Sequence, residues 1–598
     1  MKIIIDGKEA VLKKGTSFEF VAENRLFTDA DGYSLSLSFP LKDCIKNIDV
    51  FGYAHRADSD ILNTLFDCDI IDKSFFKSGV ISVSEISDTE IKAQFLEGRS
   101  SQNFKSSFDD IYINSLDLGT PSITDPSATS PEDAWKSIDE GCNYVALPWV
   151  NSHSGNVQND IVYNNGIYTW AENTKGLSWQ PYLIFITKKI FSAIGYTYDL
   201  KAWEAHNSYR YLLVCNSIPF AWEMSNFSAI LPKWSLTEFL KELELFMGAE
   251  FDVDHKKKHI RFTLSNSIQH ALPIESIDTL LYSFNAEVDA ERTLDYAPAS
   301  NIRYKDGGHN MSKYYSAEWF IEYYKDKIIK YRTIDDLLNA TSFFKFYFPE
   351  YQMVNNVWGP TQESIDNFHL FNSLLYAEDL DSYFIIYSYK NGSSDARPWV
   401  GCYLIPINMY SPLINNKEEN ANEIELNMIP VCIDETDIDT YGLCMTLNPG
   451  TLDMNYDTSS YWRSNSYPVQ IVNEGENSSP EYFYDSLFVG FWNGVNLQPG
   501  RYPIPFIDDV FVSSDWTTYY RGGFSLRLKH IGAAALNEYD KINPTHKYQF
   551  SFLSDTLPNP RAVFFIHGKK YLCEKITATF TENGMSQLLK GVFYRIVD

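Results

Sequence analysis

Between Tyr33 and Phe39 the chain reads Tyr-Ser-Leu-Ser-Leu-Ser-Phe, with an apolar residue at every second position and serine between. A period of two belongs to a strand with one buried and one wet face, and a helix cannot use it. The same chemistry recurs throughout: 40 Tyr, 40 Phe and 13 Trp are spread along 598 residues. Aromatic side chains suit pleated, half-buried surfaces, and Tyr and Trp are enriched at the centres of interfaces. The expectation is a mainly β, multi-domain protein built to present surfaces.

Turn signals divide the chain. Asp6-Gly7 between Ile3–Ile5 and Ala10–Leu12 predicts a tight hairpin, and Asp29-Ala-Asp-Gly32 a second turn. Further strands are expected around 79–83 and 90–96. This N-terminal β region ends near 115. From 116 to 180, four prolines interrupt a stretch rich in Ser, Asn and Gly. It reads as a connecting segment with one short helix, capped by Ser130 and running to about Asp139. From 181 to 290 the period changes to that of an α/β module. Pro181 to Ile194 predicts one helix. A second begins at the capping box Ser235-Leu-Thr-Glu238, continues through Leu236, Phe239, Leu240, Leu243, Phe246 and Met247, and stops at Gly248. A hairpin over 249–253 and 259–264 follows.

An aromatic-rich β region is expected over 291–416, with a short helix at 333–340 and strands near 343–348 and 383–389. Residues 417–485 hold fourteen Asp or Glu against two Lys or Arg, which predicts an acidic, loop-rich insertion. A C-terminal β region occupies 486–598, with an Asn583-Gly584 turn near its end. No internal repeat of 20 to 50 residues is legible.

The formal charge of −28 disfavours a general nucleic-acid binder. Eight scattered cysteines show neither CxxC pairs nor zinc spacing and suit a protein folded in a reducing cytosol. No run of ~18 apolar residues predicts a membrane span. GxSxG, HExxH, GxxxxGK[ST] and GxGxxG are all missing, so no enzyme class and no cofactor is indicated. His255 and His259 flank three lysines in a predicted turn, where cation repulsion argues against a metal. Asp434 to Asp439 reads as exposed acid. Trp462 and Trp492, each in a loop-rich aromatic setting, are the candidates for stacking on a receptor sugar or a partner. A glycan-binding receptor protein or polysaccharide depolymerase is therefore the alternative function.

Two blocks carry a resemblance. Glu23-Asn-Arg-Leu-Phe-Thr-Asp-Ala-Asp-Gly-Tyr-Ser-Leu-Ser-Leu-Ser-Phe-Pro40 with Asn47-Ile-Asp-Val-Phe-Gly-Tyr-Ala-His-Arg56, and Phe564-Phe-Ile-His-Gly-Lys-Lys-Tyr-Leu-Cys-Glu-Lys-Ile576 with Gly591-Val-Phe-Tyr-Arg-Ile596, resemble structural tail proteins of phages and prophages from gut Bacteroidetes. The order of β regions around a capped helix and hairpin is similar to tail hub proteins. The resemblance implies tail-tube-type β-barrel or sandwich domains and a non-enzymatic hub or baseplate component of the virion tail, made in the bacterial host cytoplasm. It also implies a ring homo-oligomer, commonly a trimer, with tail tube, tape-measure, and fibre or tip proteins as partners and DNA passing without specific binding.

Overall fold

The computed structural model describes most of residues 1–98, 108–292 and 542–596, and shorter pieces between 301 and 531. Asp6 and Gly7 take the φ values of 47° and 78° that a two-residue hairpin turn needs. Lys2–Ile5 pairs with Lys8–Ala10 across them. The strand expected over 33–39 is broken. Gly32–Ser34 and Leu37–Pro40 both pair with Glu90–Glu97, Tyr33 opposite Leu96 but Leu37 opposite Ala93, so one extra residue sits on their side. Such a β-bulge changes which side chains face the core. Tyr33 packs with Val21 and Leu96 on one face, while Leu37 and Phe39 enter the main core on the other. Buried Ser34 accepts a hydrogen bond from Phe95 N at 2.9 Å, which satisfies a donor where the ladder is interrupted.

Both ends of the chain meet in one sheet of 14 strands. Its main path runs through Lys8–Ala10, Lys2–Ile5, Leu65–Asp72, Phe75–Ile86, Glu90–Glu97, Gly32–Ser34, Phe18–Glu23, Lys569–Thr581, Gly584–Ile596, Ile542–Leu553 and Leu281–Val288. The first and last β regions, separate in the sequence, are thus one unit. Phe18–Glu23 lies antiparallel to Lys569–Thr581, with Phe18 opposite Phe580 and Glu23 opposite Lys575. Phe20, Phe39, Phe95, Phe564, Phe580 and Phe593 are fully buried in one shared core. Burial of that kind is worth ~1.5–3 kcal/mol per side chain and holds the two chain ends together. Among the described residues the path does not close on itself, so the barrel-type domains implied by the resemblance take the form of an open sheet in the single chain.

The path contains the same arrangement twice. In the first half, Phe18–Glu23, then Gly32–Ser34 with Leu37–Pro40, then Leu65–Asp72, Phe75–Ile86 and Glu90–Glu97 follow in chain order. They lie side by side as first, second, fifth, fourth and third. In the second half, Leu281–Val288, Ile542–Leu553, Val563–Ile566, Lys569–Thr581 and Gly584–Ile596 repeat that order, again antiparallel throughout. Composition hides this repeat because the long excursion after Val288 separates the first strand of the second half from its other four. A trace survives in the first strands, Phe18-Glu-Phe-Val-Ala-Glu23 and Tyr282-Ser-Phe-Asn-Ala-Glu287.

Between the halves lies the α/β module. Ser235 Oγ accepts from Glu238 N at 3.2 Å and Ser235 N donates to Glu238 Oε2 at 2.6 Å. This capping box starts the helix Leu236–Met247, and Gly248, at φ 58°, ends it. Leu183–Ala193 forms the other predicted helix, and Ala249–Asp254 pairs with His259–Leu264. The helix capped by Ser130 is shorter than expected, Pro131–Ala134, with a separate turn of 3₁₀ helix at Ile138–Glu140.

The stretch expected as an acidic insertion is partly core. Met428–Pro430 runs parallel to Leu487–Phe491, which pairs with Leu212–Cys215. Leu426, Met428 and Val431 are fully buried in the same core as Phe239 and Leu240. The residues expected to open the C-terminal β region therefore belong to the central unit instead. Ile334–Thr341 and Ser382–Lys390 form as predicted, around a small third core of Ile334, Leu337, Leu375 and Phe384. The strand expected near 343–348 lies outside the described residues.

Candidate assembly surface

The two ends of the open sheet path differ in how they meet solvent. A strand edge presents unpaired N–H and C=O groups, and proteins normally cover it. At Lys8–Ala10 the helix Ile45–Phe51 does so. Buried Asn47 accepts from Val11 N at 2.8 Å and donates to Val11 O at 2.8 Å and Pro40 O at 2.7 Å, as a neighbouring strand would. Lys8 donates to Asp49 O at 2.7 Å, and Lys46 lies 3.0 Å from Glu9. The Lys46 ammonium holds the Glu9 carboxyl below its ordinary pKa. The helix thus caps this edge at Val11, while Lys8 and Glu9 themselves stay exposed.

The opposite edge is open. Among the described residues, Leu281–Val288 pairs on one side with Ile542–Leu553 and has no strand on the other. Phe284 and Val288 share one face of it, Tyr282 sits at a bulge between Leu281 and Ser283, and the three are 65%, 64% and 71% exposed. Phe284 lies opposite Phe550, a buried member of the main core, so this apolar strip continues the core-facing side of the sheet into solvent. Their counterparts in the first half are covered. Phe18 stacks on Phe580 at 5.1 Å between ring centres, and Phe20 meets Phe75 edge-on at 5.4 Å.

Charged pairs join the sheet to the central module. Lys256 Nζ lies 2.6 Å from Asp69 Oδ2, and Arg561 pairs with Glu250. Burial pushes the Asp69 carboxyl up, but hydrogen bonds from Lys256 and Ser78 outweigh it and leave the group below its ordinary value. Beside these ties is a cleft of about 640 Å³ whose lining includes Phe76, Lys77, Glu97, Asp254, Pro558 and Arg561. Lys77 and Glu97 bridge within it at 2.7 Å. Of its other charged groups, Arg561 pairs with Glu250 and Asp254 with Lys257.

The residues singled out from the sequence fare differently. Trp492 is fully buried: its Nε1 donates to Trp135 O at 2.8 Å and its carbonyl accepts from Tyr182 Oη at 3.2 Å. Its ring is enclosed in the core, so it is not placed to stack on a sugar or a partner in this fold. Trp462 lies outside the described residues, as do Asp29 to Asp31 and Asp437 to Asp439. His255 Nδ1 contacts Tyr196 Oη at 2.8 Å and His259 Nδ1 contacts Thr197 Oγ1 at 2.9 Å, so each imidazole has its own partner in the hairpin. Among the described residues no group of three or more His, Cys, Asp and Glu is placed to hold a metal ion. No helix among them is long and apolar enough to cross a membrane.

No family model matches the chain, and no curated protein matches it. Among solved structures, the prophage MuSo2 43 kDa tail protein from Shewanella oneidensis aligns at 7% identity and a TM-score of 0.31, over 99% of this chain and 97% of that one. A tail protein from Neisseria meningitidis MC58 aligns at 6% identity and a TM-score of 0.28, over 99% and 95%. Likeness this low is too weak to carry fold or function to this chain.

Sequence reasoning missed Asn47, Tyr282 and Phe284. The alternation Tyr-Ser-Phe-Asn-Ala-Glu-Val was available as a strand signal, and the match to Phe18–Glu23 was available as a repeat. Nothing local shows that one copy is covered and the other is not.

Proposed function

We propose that the protein is a non-enzymatic structural component of a phage tail, a hub or baseplate protein that closes the end of the tail tube, docks tip or fibre proteins and lets DNA pass. One observation carries this. The two blocks that resemble tail proteins lie at opposite ends of the chain, yet they fold into one sheet with one core, through Phe18–Glu23 against Lys569–Thr581. The resemblance therefore falls on a single structural unit. A ring of copies, with three as the expected number, surrounds the DNA path, and the net charge of −28 per chain gives DNA no general hold on it.

Negative-stain images of the purified protein test the proposal. Rings with threefold or sixfold symmetry support it, and elongated single molecules count against it. The glycan-binding alternative has lost Trp492, and no observation favours it.

A further inference from the structure

The internal repeat leaves one contact made and its twin unmade. In the chain, the first strand of the first half, Phe18–Glu23, is completed by the fourth strand of the second half, Lys569–Thr581. The first strand of the second half, Leu281–Val288, has the same place in the order, a similar sequence and an uncovered apolar face. Within one molecule the fourth strand of the first half, Phe75–Ile86, lies at the wrong place in the path to complete it. In a second molecule that strand is available.

We infer that the open edge Leu281–Val288 is completed by the first half of another copy, at the C-terminal end of its Phe75–Ile86 strand. This rests on the ring proposed above and names the surface that forms it. Among the described residues the receiving end is partly open: Leu65–Asp72 pairs with Phe75–Ile86 only as far as Ser82, Val83 N donates to Thr64 O at 2.8 Å, and no described strand pairs with residues 84 to 86 on that side, where Leu65 stands half exposed. A first strand meeting a fourth strand of a different half is a head-to-tail contact, the kind that generates rings. Antiparallel pairing supplies main-chain hydrogen bonds, and Tyr282 and Phe284 bury aromatic surface as Phe18 and Phe20 already do. Two such side chains cover too little area for a stable interface alone, so the strand fixes register within a larger contact.

The test uses the full chain. Mass photometry of wild type, of a Tyr282→Lys/Phe284→Lys double variant and of Ile167→Lys, a control on a separate exposed hairpin, reads assembly directly. The expected result is a ring-sized mass for wild type and the control, and the 68.8 kDa monomer for the double variant. Circular dichroism matching wild type would show that the variant still folds. Mixing Asn285→Cys with Ser84→Cys under mild oxidation should give a covalent dimer that neither variant gives alone. A ring that survives the double substitution overturns this inference and leaves the tail proposal standing. A wild-type chain that stays monomeric at high concentration overturns both. Cross-linking of Asn285→Cys with itself would mean a twofold contact and would also overturn the inference.

Discussion

Phe18–Glu23 and Leu281–Val288 hold the same position in two copies of one strand arrangement, and they share the pattern aromatic, polar, Phe, variable, Ala, Glu. One lies between two strands with its aromatic rings buried; the other ends the sheet with its rings in water. Strand-forming chemistry is therefore not what separates them. The difference is the presence of a neighbour, and among the described residues the second strand has none on its outer side. The far edge shows that this fold can cap a strand end, with a buried asparagine on a helix bonded to Val11 beside Lys8–Ala10. An edge whose apolar side chains stand in water, opposite one lined by Lys8 and Glu9 and capped at Val11, reads as a surface kept for assembly.

Four substitutions separate the covered strand from the open one. Phe20→Ala removes a fully buried ring that touches Phe75 and Phe95, and urea denaturation should show a loss of ~3–5 kcal/mol. Asn47→Ala leaves Val11 N, Val11 O and Pro40 O without their partner. The expected cost is ~1–3 kcal/mol, accompanied by faster amide exchange at Val11. If that amide stays protected, the asparagine is not what holds it.

The third change lies off both strands. Glu242 accepts from Asn427 N at 3.0 Å and Asn427 Nδ2 at 3.2 Å, where the central helix meets the segment returning from the peripheral excursion. Burial pushes its carboxyl from 4.5 up to about 7, against the pull of those donors. Between these values the folded chain holds a proton that the unfolded chain has released. This contribution to stability is complete below pH 4.5 and is lost as pH rises through about 7. Glu242→Gln should flatten that part of a stability–pH profile without altering assembly. The smallest effect is expected at the open edge itself: Phe284→Ala should change the stability of the isolated chain by less than ~0.5 kcal/mol, in contrast to Phe20→Ala.

Much of the local structure was legible because its signals are short-range. Asp6-Gly7 dictates its turn, Ser235 and Glu238 dictate a helix start, and the period of Leu236 to Met247 dictates the buried face. The errors are non-local. The bulge after Ser34 splits a seven-residue alternation whose partner strand lies some sixty residues away, beyond the reach of any window. Acidic composition between 417 and 485 masked Leu426, Met428 and Val431, whose burial depends on Leu487–Phe491 and Leu212–Cys215. Trp492 looked like a surface aromatic because Gly494 and Asn493 beside it read as loop, yet its indole is bonded to Trp135 O, far back in the chain. The assembly surface was the least visible part, since exposure of Tyr282 and Phe284 is a property of the finished sheet.

Amide hydrogen exchange across residues 281–288, compared between assembled protein and chains held monomeric by dilution, reads the open edge itself. Rapid exchange of the outward amides is expected in the monomer and strong protection in the assembly, with Phe18–Glu23 protected in both. Equal, rapid exchange at Leu281–Val288 in the two states would contradict an assembly role for that edge.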